Sequence, residues 1–302
     1  MTSSERTESR MRHGQKLLYA TAIRLLVIPV KFLFVFYLAS AINLTSLGQY
    51  ALVAALSSYC IYIVGLEVHS HVNRLGIGGS RRDWNELLSN QMGLYALTST
   101  VFVATTLLAE HYNIISVPYV YFFIAITIAE HFGQESYRTL ISLQDQLFAS
   151  ITLFIRSALW PIITIAYGML GGKVSLDLIF SLWTACGVTG SIVGYIYIAT
   201  TYAQGSKFRL KISKPWIANA IKVSSIFLLC TLTLRIAQTA DRYIVSLFES
   251  AKTLGIYSFY VMIALSISSV LVFIGPGRIY PELIIAKKRV TGRRIAQAIK
   301  KC

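Results

Sequence analysis

Charged side chains are scarce in this sequence: only 14% of its 302 residues are Asp, Glu, Lys or Arg, against roughly 25% in an ordinary soluble domain. That is too little charge to cover a globule of this size, and a hydrophobic fraction of 55% with mean hydropathy +0.60 points to apolar surroundings instead. Acidic residues are scarcer still, 13 Asp+Glu against 28 Lys+Arg, leaving +15. Such an excess suggests either nucleic acid or an anionic membrane surface, so its placement must decide. Cysteine offers no disulfide framework: Cys60, Cys186 and Cys230 fall inside apolar stretches, and Cys302 ends the chain without the following residues of a prenylation box. A phosphate-binding loop is missing too, since Gly76-Ile77-Gly78-Gly79 follows no predicted strand. Glu67, His69 and His71 alternate at a spacing that does not converge on one helical face, which reads as an ordinary interfacial loop and not as a metal site. No catalytic residue, metal or cofactor is expected.

What the sequence has in abundance is long apolar runs. A bilayer core about 30 Å thick asks for about 20 mostly apolar residues per helix. Eight stretches qualify: 17–41, 47–66, 92–109, 117–129, 147–169, 176–200, 217–240 and 253–274, the fourth reaching Phe132 if Glu130 and His131 sit at the interface. The first is not a signal peptide, because Arg24 and Lys31 interrupt it. The fold class expected is all-α, a polytopic membrane protein with about eight transmembrane helices.

Positive residues are retained in the cytoplasm, and here alternate gaps separate cleanly. One side carries 21 of the Lys and Arg residues and the other only three, Lys173, Arg242 and Lys252. The charge excess is therefore topological, both termini are expected in the cytoplasm, and no nucleic-acid partner is implied. The basic stretch 287–301 fits a segment lying along anionic membrane lipids.

Four cations remain, and they lie inside apolar runs: Arg24 and Lys31 in the first helix, Arg156 in the fifth and Arg235 in the seventh. Each costs about 2.5–3.5 kcal/mol at the centre of a membrane helix, so such residues normally face a wet or protein-lined interior. Arg24 is shallow enough to snorkel; the other three lie deeper. Arg24 and Lys31, seven residues apart, share nearly one helical face. Gln238 and Asp241 follow Arg235 closely enough to satisfy it locally. No carboxylate lies inside the first or fifth helix, and Glu130 and Glu135 read as markers of a helix boundary. A cavity lined by these cations would attract an anion, and Arg in particular presents a planar fork to phosphate oxygens.

A repeat supports a two-lobed layout. Leu47-Gly48-Gln49-Tyr50 opens the second helix and Leu254-Gly255-Ile256-Tyr257 the eighth, 207 residues later and with an even number of helices between them, as in parallel repeats. Residues 1–205 would form a six-helix lobe, 206–216 a basic cytoplasmic linker, 217–277 the first two helices of a second lobe and 278–302 a basic tail.

The basic first helix, the Leu-Gly-x-Tyr opening of the second, and Asp241-Arg242-Tyr243-Ile244 followed by Leu254-Gly255-Ile256-Tyr257 resemble the polysaccharide-exporter branch of the multidrug/oligosaccharidyl-lipid/polysaccharide (MOP) superfamily, and within it the Wzx-type O-antigen flippases. The resemblance spans Met11 to about Pro281. It implies a MATE-like, V-shaped pair of six-helix lobes in the cytoplasmic (inner) membrane, moving a polyprenyl-pyrophosphate-linked oligosaccharide by alternating access. Cationic residues in the cavity are typical of this branch, and Arg24, Lys31, Arg156 and Arg235 are the candidates here, chosen from depth and charge. Eight helices fall short of two full lobes. The chain is therefore expected to be C-terminally incomplete, or to be completed by a second chain or other polysaccharide-assembly membrane proteins. Two alternatives stand beside this reading. A cation-coupled multidrug exporter needs membrane-embedded carboxylates. An integral-membrane glycosyltransferase or polymerase needs acidic catalytic groups and a sizeable external loop, whereas the external gaps are short and lack paired carboxylates.

Overall fold

The computed structural model describes residues 3–76, 81–114, 117–202 and 213–274, and among these every regular element is a helix. In chain order they are α1 Ser3–Ala41, α2 Leu44–Gly65, α3 His69–Gly76, α4 Arg81–His111, α5 Val120–Ser142, α6 Gln146–Phe154, a π-helical turn Ile155–Leu159, α7 Trp160–Met169, α8 Leu176–Thr201, α9 Lys214–Phe248 and α10 Ala251–Ile274. The stretch 77–79, most of the basic linker and the tail with its 287–301 segment lie outside the described residues.

Six of these pieces are long and apolar enough to cross a membrane: Gln15–Ala41, Leu44–Gly65, Trp84–His111, Gln146–Met169, Leu176–Thr201 and Lys214–Phe248. α6, the π turn and α7 form one continuous span. α10 is apolar over Ala251–Leu265. α5, at 23 residues, is about 35 Å long, but Glu130, Glu135 and Arg138 dilute its hydropathy. The chain is a polytopic, all-α membrane protein.

Two expected boundaries are corrected. The fourth apolar run does not stop near Phe132: α5 continues to Ser142, and Glu130 and Glu135 lie in its body. Hydropathy falls there because that half of α5 is buried against other helices, where His131 and Ser136 are wholly inaccessible. The seventh helix does not stop at Ala240. α9 runs on to Phe248 because Asp241 is satisfied inside the protein, accepting from the Tyr257 hydroxyl at 2.6 Å and from the Arg242 backbone N–H at 2.9 Å. Arg242 is thus helical and buried, and not an external loop residue.

The chain divides into two compact units, Met1–Phe259 and Tyr260–Cys302. Of the second, the described part is the latter half of α10. Within the first, α5 and α8 pack most closely. Small residues at 187, 191 and 194 bring the two backbones together, a packing device common between membrane helices. A Cβ on Gly187 would stand 3.1 Å from the Ala129 Cβ, and Ser191 Oγ bonds the Ala129 carbonyl at 3.0 Å.

The repeat read from Leu-Gly-x-Tyr extends to the turns that join two pairs of helices. α1 ends at Ala41 and α2 begins at Leu44; α9 ends at Phe248 and α10 begins at Ala251, the same offset of 207 in both cases. The Asn43 side chain caps α2 by accepting from Ser46 N–H at 2.8 Å, and Ser250 caps α10 by accepting from Thr253 N–H at 3.2 Å, again at equivalent positions. Backbone bonds Ile42 to Leu38 and Leu47 to Asn43 recur as Glu249 to Val245 and Leu254 to Ser250. The two repeat glycines also meet. A Cβ on Gly48 would collide with the Ala251 carbonyl oxygen, and one on Gly255 with the Leu44 carbonyl oxygen. Exchange of the two copies maps this contact onto itself, the mark of a local two-fold relation.

Gly48→Ala and Gly255→Ala should each destabilise the protein by about 1–3 kcal/mol through overpacking. Because both disrupt one contact, the double variant should cost clearly less than the sum. Thermal unfolding in detergent measures all three; additive losses would show that the glycines act separately.

Candidate functional site

Arg156 stands on the π-helical turn, where a wider hydrogen-bond ring replaces the α pattern, a local feature frequent at functional positions. Only 8% of Arg156 is accessible. Gly133 and Gly190 make room for it: a Cβ on Gly133 would strike the Arg156 Cδ, and one on Gly190 would lie 3.2 Å from its Cβ. Its Nη1 donates to Glu130 Oε2 at 2.7 Å and to the Glu130 carbonyl at 3.2 Å. The other carboxylate oxygen of Glu130 accepts from Trp183 Nε1 at 2.7 Å. Trp183 in turn stacks on Trp160, whose edge meets Phe34 of α1. Arg156 Nε is buried without a hydrogen-bond partner. Lys31 is exposed, and its charged neighbours are Glu130 and Arg156. The structure therefore brings two of the four candidate cations, Lys31 and Arg156, around one carboxylate.

Arg235 belongs to a different group. Its Nη2 donates to the Tyr62 hydroxyl at 2.7 Å and its guanidinium lies 4.9 Å from the Tyr62 ring centroid. Gln238 takes Nη1 at 3.3 Å, as the spacing anticipated, while Asp241 is engaged elsewhere. The guanidinium of Arg138 also lies near the Tyr62 ring, 5.7 Å from its centroid. Arg138 Nη1 donates to Glu135 Oε1 at 2.8 Å and to His69 Nδ1 at 2.9 Å, and Nη2 lies 3.6 Å from Glu67 Oε1. Glu135 also accepts from the Tyr95 hydroxyl at 2.6 Å and from Gln91 Nε2 at 3.2 Å. Two consecutive left-handed residues, Leu66 (φ 48°) and Glu67 (φ 53°), turn the chain so that Glu67 and His69 reach Arg138.

The reading of Glu67, His69 and His71 as a plain loop is thus corrected for two of the three. Glu67 and His69 converge, 3.4 Å apart, because the turn after α2 breaks the helical spacing; His71 packs against Trp216 instead. Among the described residues no three potential ligands gather around a metal position. Glu67, His69 and His71 lie between spans. Burial pushes the His69 imidazole down to about 4, so near neutral pH the ring is uncharged and Nδ1 accepts from Arg138. Burial also holds the Glu67 carboxyl above its ordinary range, against the opposing pull of Arg138.

Arg24 is placed apart from the other candidates, against α6, with Nε donating to Ser150 Oγ at 2.9 Å and its guanidinium 5.8 Å from the Tyr137 ring centroid. Among the described residues Arg24 forms no ion pair with a carboxylate. The cation that sequence reasoning missed is Arg242. It is 7% exposed, its Nε and Nη2 are buried without hydrogen-bond partners, and together with Glu130 it is a charged neighbour of Tyr50 on α2. Its seven-residue spacing from Arg235 was a visible signal, the same as that between Arg24 and Lys31. A recess of about 560 Å³ between α5 and α8, walled by Phe132, Val188, Ile192 and Tyr195 among others, is lined by no charged residue.

A family model described as "Polysaccharide biosynthesis protein" matches residues 13–284, nearly the whole chain. The chain belongs to the polysaccharide biosynthesis protein family. That is the family of Wzx-type flippases in the MOP superfamily, in agreement with the motifs at Gly48, Asp241 and Gly255. No curated protein and no solved structure matches the chain significantly. For a polysaccharide biosynthesis protein, a transporter-type membrane protein by family, the informative feature is the mixture of paired and unpaired cations on its membrane helices.

Two predictions follow from the pairing. Glu130→Gln leaves a buried guanidinium uncompensated and should cost about 3–5 kcal/mol, most of it recovered in the double variant Glu130→Gln/Arg156→Met; thermal unfolding decides, and a double variant no better than the single removes the pair from the account. His69 has a folded pKa below its unfolded value, so its contribution is complete above about 6.5 and is lost as pH falls towards about 4. The melting temperature should drop over that window, and His69→Asn, which keeps an acceptor facing Arg138, should flatten the drop.

Proposed function

We propose that this protein flips a polyprenyl-pyrophosphate-linked oligosaccharide, an O-antigen, capsule or exopolysaccharide repeat unit, across the cytoplasmic membrane by alternating access. On this reading both termini are cytoplasmic, residues 1–205 form one lobe and the chain from about residue 217 begins a second. The protein is a transporter and not an enzyme, with the anionic lipid-linked oligosaccharide as its partner. Cations on spanning helices support this. Lys31 is exposed on α1, and the Arg156 next to it is already neutralised by Glu130. A pyrophosphate supplies the matching negative charge. Arg24 and Arg235 add further positive charge on α1 and α9.

A cation-coupled drug exporter of the same superfamily is the second reading, and the half-buried Glu130 and buried Glu135 speak for it. Both, however, are held by arginines, Glu130 by Arg156 and Glu135 by Arg138, which leaves little negative potential for a cationic drug. Replacing Arg24, Lys31, Arg156 and Arg235 singly with Ala in the full-length protein should reduce surface polysaccharide several-fold, with Lys at the three arginine positions partly restoring it. Unchanged polysaccharide in every variant would remove these residues from the mechanism. Altered resistance to cationic dyes with normal polysaccharide would favour the drug exporter.

A further inference from the structure

The turn after α2 carries two titratable groups, Glu67 and His69, that the proposed transport does not use. Two consecutive left-handed residues, Leu66 and Glu67, aim them at Arg138 of α5. Residues other than glycine keep that conformation only where their surroundings hold it. Gly65, just before them, lets α5 come close: a Cβ there would stand 3.0 Å from the His131 ring and 4.0 Å from Glu135 Oε1. Glu67 is buried, whereas His69 is half-buried and open enough to take a proton from water.

His69 Nδ1 is the atom on which this arrangement turns. It lies 2.9 Å from Arg138 Nη1 and 3.4 Å from Glu67 Oε2. With the ring neutral, Nδ1 accepts from Arg138. With a proton on Nδ1 that bond is lost, because two donors then face each other, and Nδ1 turns its proton to Glu67 instead. A proton that settles first on Glu67 Oε2 acts in the same sense: the carboxyl then donates to Nδ1 in competition with Arg138 and no longer offers Arg138 a full negative charge. The pair therefore binds one proton as a unit, and on either atom that proton weakens the hold on Arg138.

The charges around the pair balance before that proton arrives. α5 contributes Glu135 and Arg138, and α9 contributes Arg235. His131 of α5 and Tyr95 and Gln91 of α4 face Glu135, while His71 and Arg74 of α3 lie against Trp216 and Phe227 of α9. Two carboxylates, Glu67 and Glu135, thus answer two guanidiniums, Arg138 and Arg235. Both guanidiniums lie near one ring, Tyr62 of α2, at 5.7 and 4.9 Å from its centroid, and Arg235 Nη2 donates to the Tyr62 hydroxyl at 2.7 Å. Two like charges so close are tolerable while the carboxylates neutralise them. One further proton leaves the group with an excess positive charge beside the contact that ties α9 to α2.

We propose that Glu67 and His69 form a proton-binding latch: a single proton held between Glu67 Oε2 and His69 Nδ1 unsettles Arg138 and frees Arg235 from Tyr62, so that α9 parts from the α2–α3 turn. The latch is closed near neutral pH and opens in acid. His69, pushed down to about 4 in the closed arrangement, returns towards about 6.5 once water surrounds the ring, so the midpoint of opening falls between these values. Burial holds Glu67 above its ordinary range, which moves its titration into the same window. The latch belongs to this corner of the fold and holds whatever the protein carries. Under the proposed function it makes the separation of the two lobes depend on pH.

Double electron–electron resonance on the full chain in lipid nanodiscs reads that separation. Spin labels go on Leu97 of α4 and Leu229 of α9, both exposed, with the four natural cysteines replaced by serine. Wild type should give one distance at about pH 7.5 and a second, longer one that grows in between about pH 6.5 and 4 with the slope of a single proton. Glu67→Gln, which keeps the shape without the charge, should show the longer distance already at about pH 7.5. His69→Asn should lower the midpoint by about one pH unit or more, a tenfold weaker hold on the proton, whereas His71→Asn should titrate as wild type does. Arg235→Gln removes a cation that opposes the proton, so by reciprocity it should raise the midpoint of proton uptake, followed by NMR of isotope-labelled histidine. A single unchanged distance in folded wild type down to about pH 4 would overturn the latch. A response kept in His69→Asn and lost in His71→Asn would overturn it too, by moving the switch to the His71–Trp216 contact. Should acid unfold the chain, equal distances in wild type and Glu67→Gln at about pH 7.5 overturn it, and an uptake midpoint unmoved by Arg235→Gln overturns the link to α9.

Discussion

A charge inside a membrane-spanning bundle must be neutralised, solvated or used, and the Glu130–Arg156 pair is where this constraint shapes the most structure. The pair joins α5 to the π turn at 2.7 Å with both partners mostly inaccessible. Its geometry explains several otherwise separate features. Gly133 and Gly190 are glycines because the Arg156 side chain passes where their Cβ atoms would be. The π turn shifts Arg156 in register relative to a regular α-helix, and Trp183 is oriented by the second oxygen of Glu130. Through Trp183 and Trp160 the ring packing continues to Phe34 on α1, so the pair also positions the helix that carries Lys31.

Against this fixed half of the molecule, the hairpins α1–α2 and α9–α10 are copies of one unit, and their glycines touch. Close approach of two helices at Gly48 and Gly255 is available only while no side chain intervenes. The contact is therefore both a signature of the repeat and a closure that separation of the two hairpins would have to break. Arg24, Lys31, Arg235 and Arg242 belong to these same hairpins, which connects the charge pattern to the element whose arrangement alternating access would change.

Much of this was legible in the sequence, and the parts that were not have physical causes. Apolar runs gave the helices, and the limits of α8 and of the α6–α7 span differ from expectation by a residue or so. Leu-Gly-x-Tyr revealed the repeat, since a glycine needed at a helix crossing recurs where the crossing is symmetric. Hydropathy failed at Glu130 and Arg242 for one reason. A charged residue lowers the apolar score equally whether it faces water or a partner, and the partners are distant in sequence: Arg156 for Glu130, and Tyr257 for the Asp241 that precedes Arg242. The convergence of Glu67 and His69 was hidden by a turn through two left-handed residues that no spacing rule anticipates. Arg24, Lys31, Arg156 and Arg235 were found by depth and charge, but only Lys31 and Arg156 proved to be neighbours.

The central claim is that intramembrane cations recognise the pyrophosphate of a lipid-linked oligosaccharide as it crosses the bilayer. It is tested most directly by reconstituting the full-length protein in liposomes and measuring the movement between leaflets of a polyprenyl-pyrophosphate sugar and of the same sugar on an uncharged polyprenyl carrier. Selective movement of the pyrophosphate lipid, abolished when Lys31 is replaced by Met, is the result the account predicts. Equal movement of both lipids, or selective movement that survives the loss of Lys31, would contradict it.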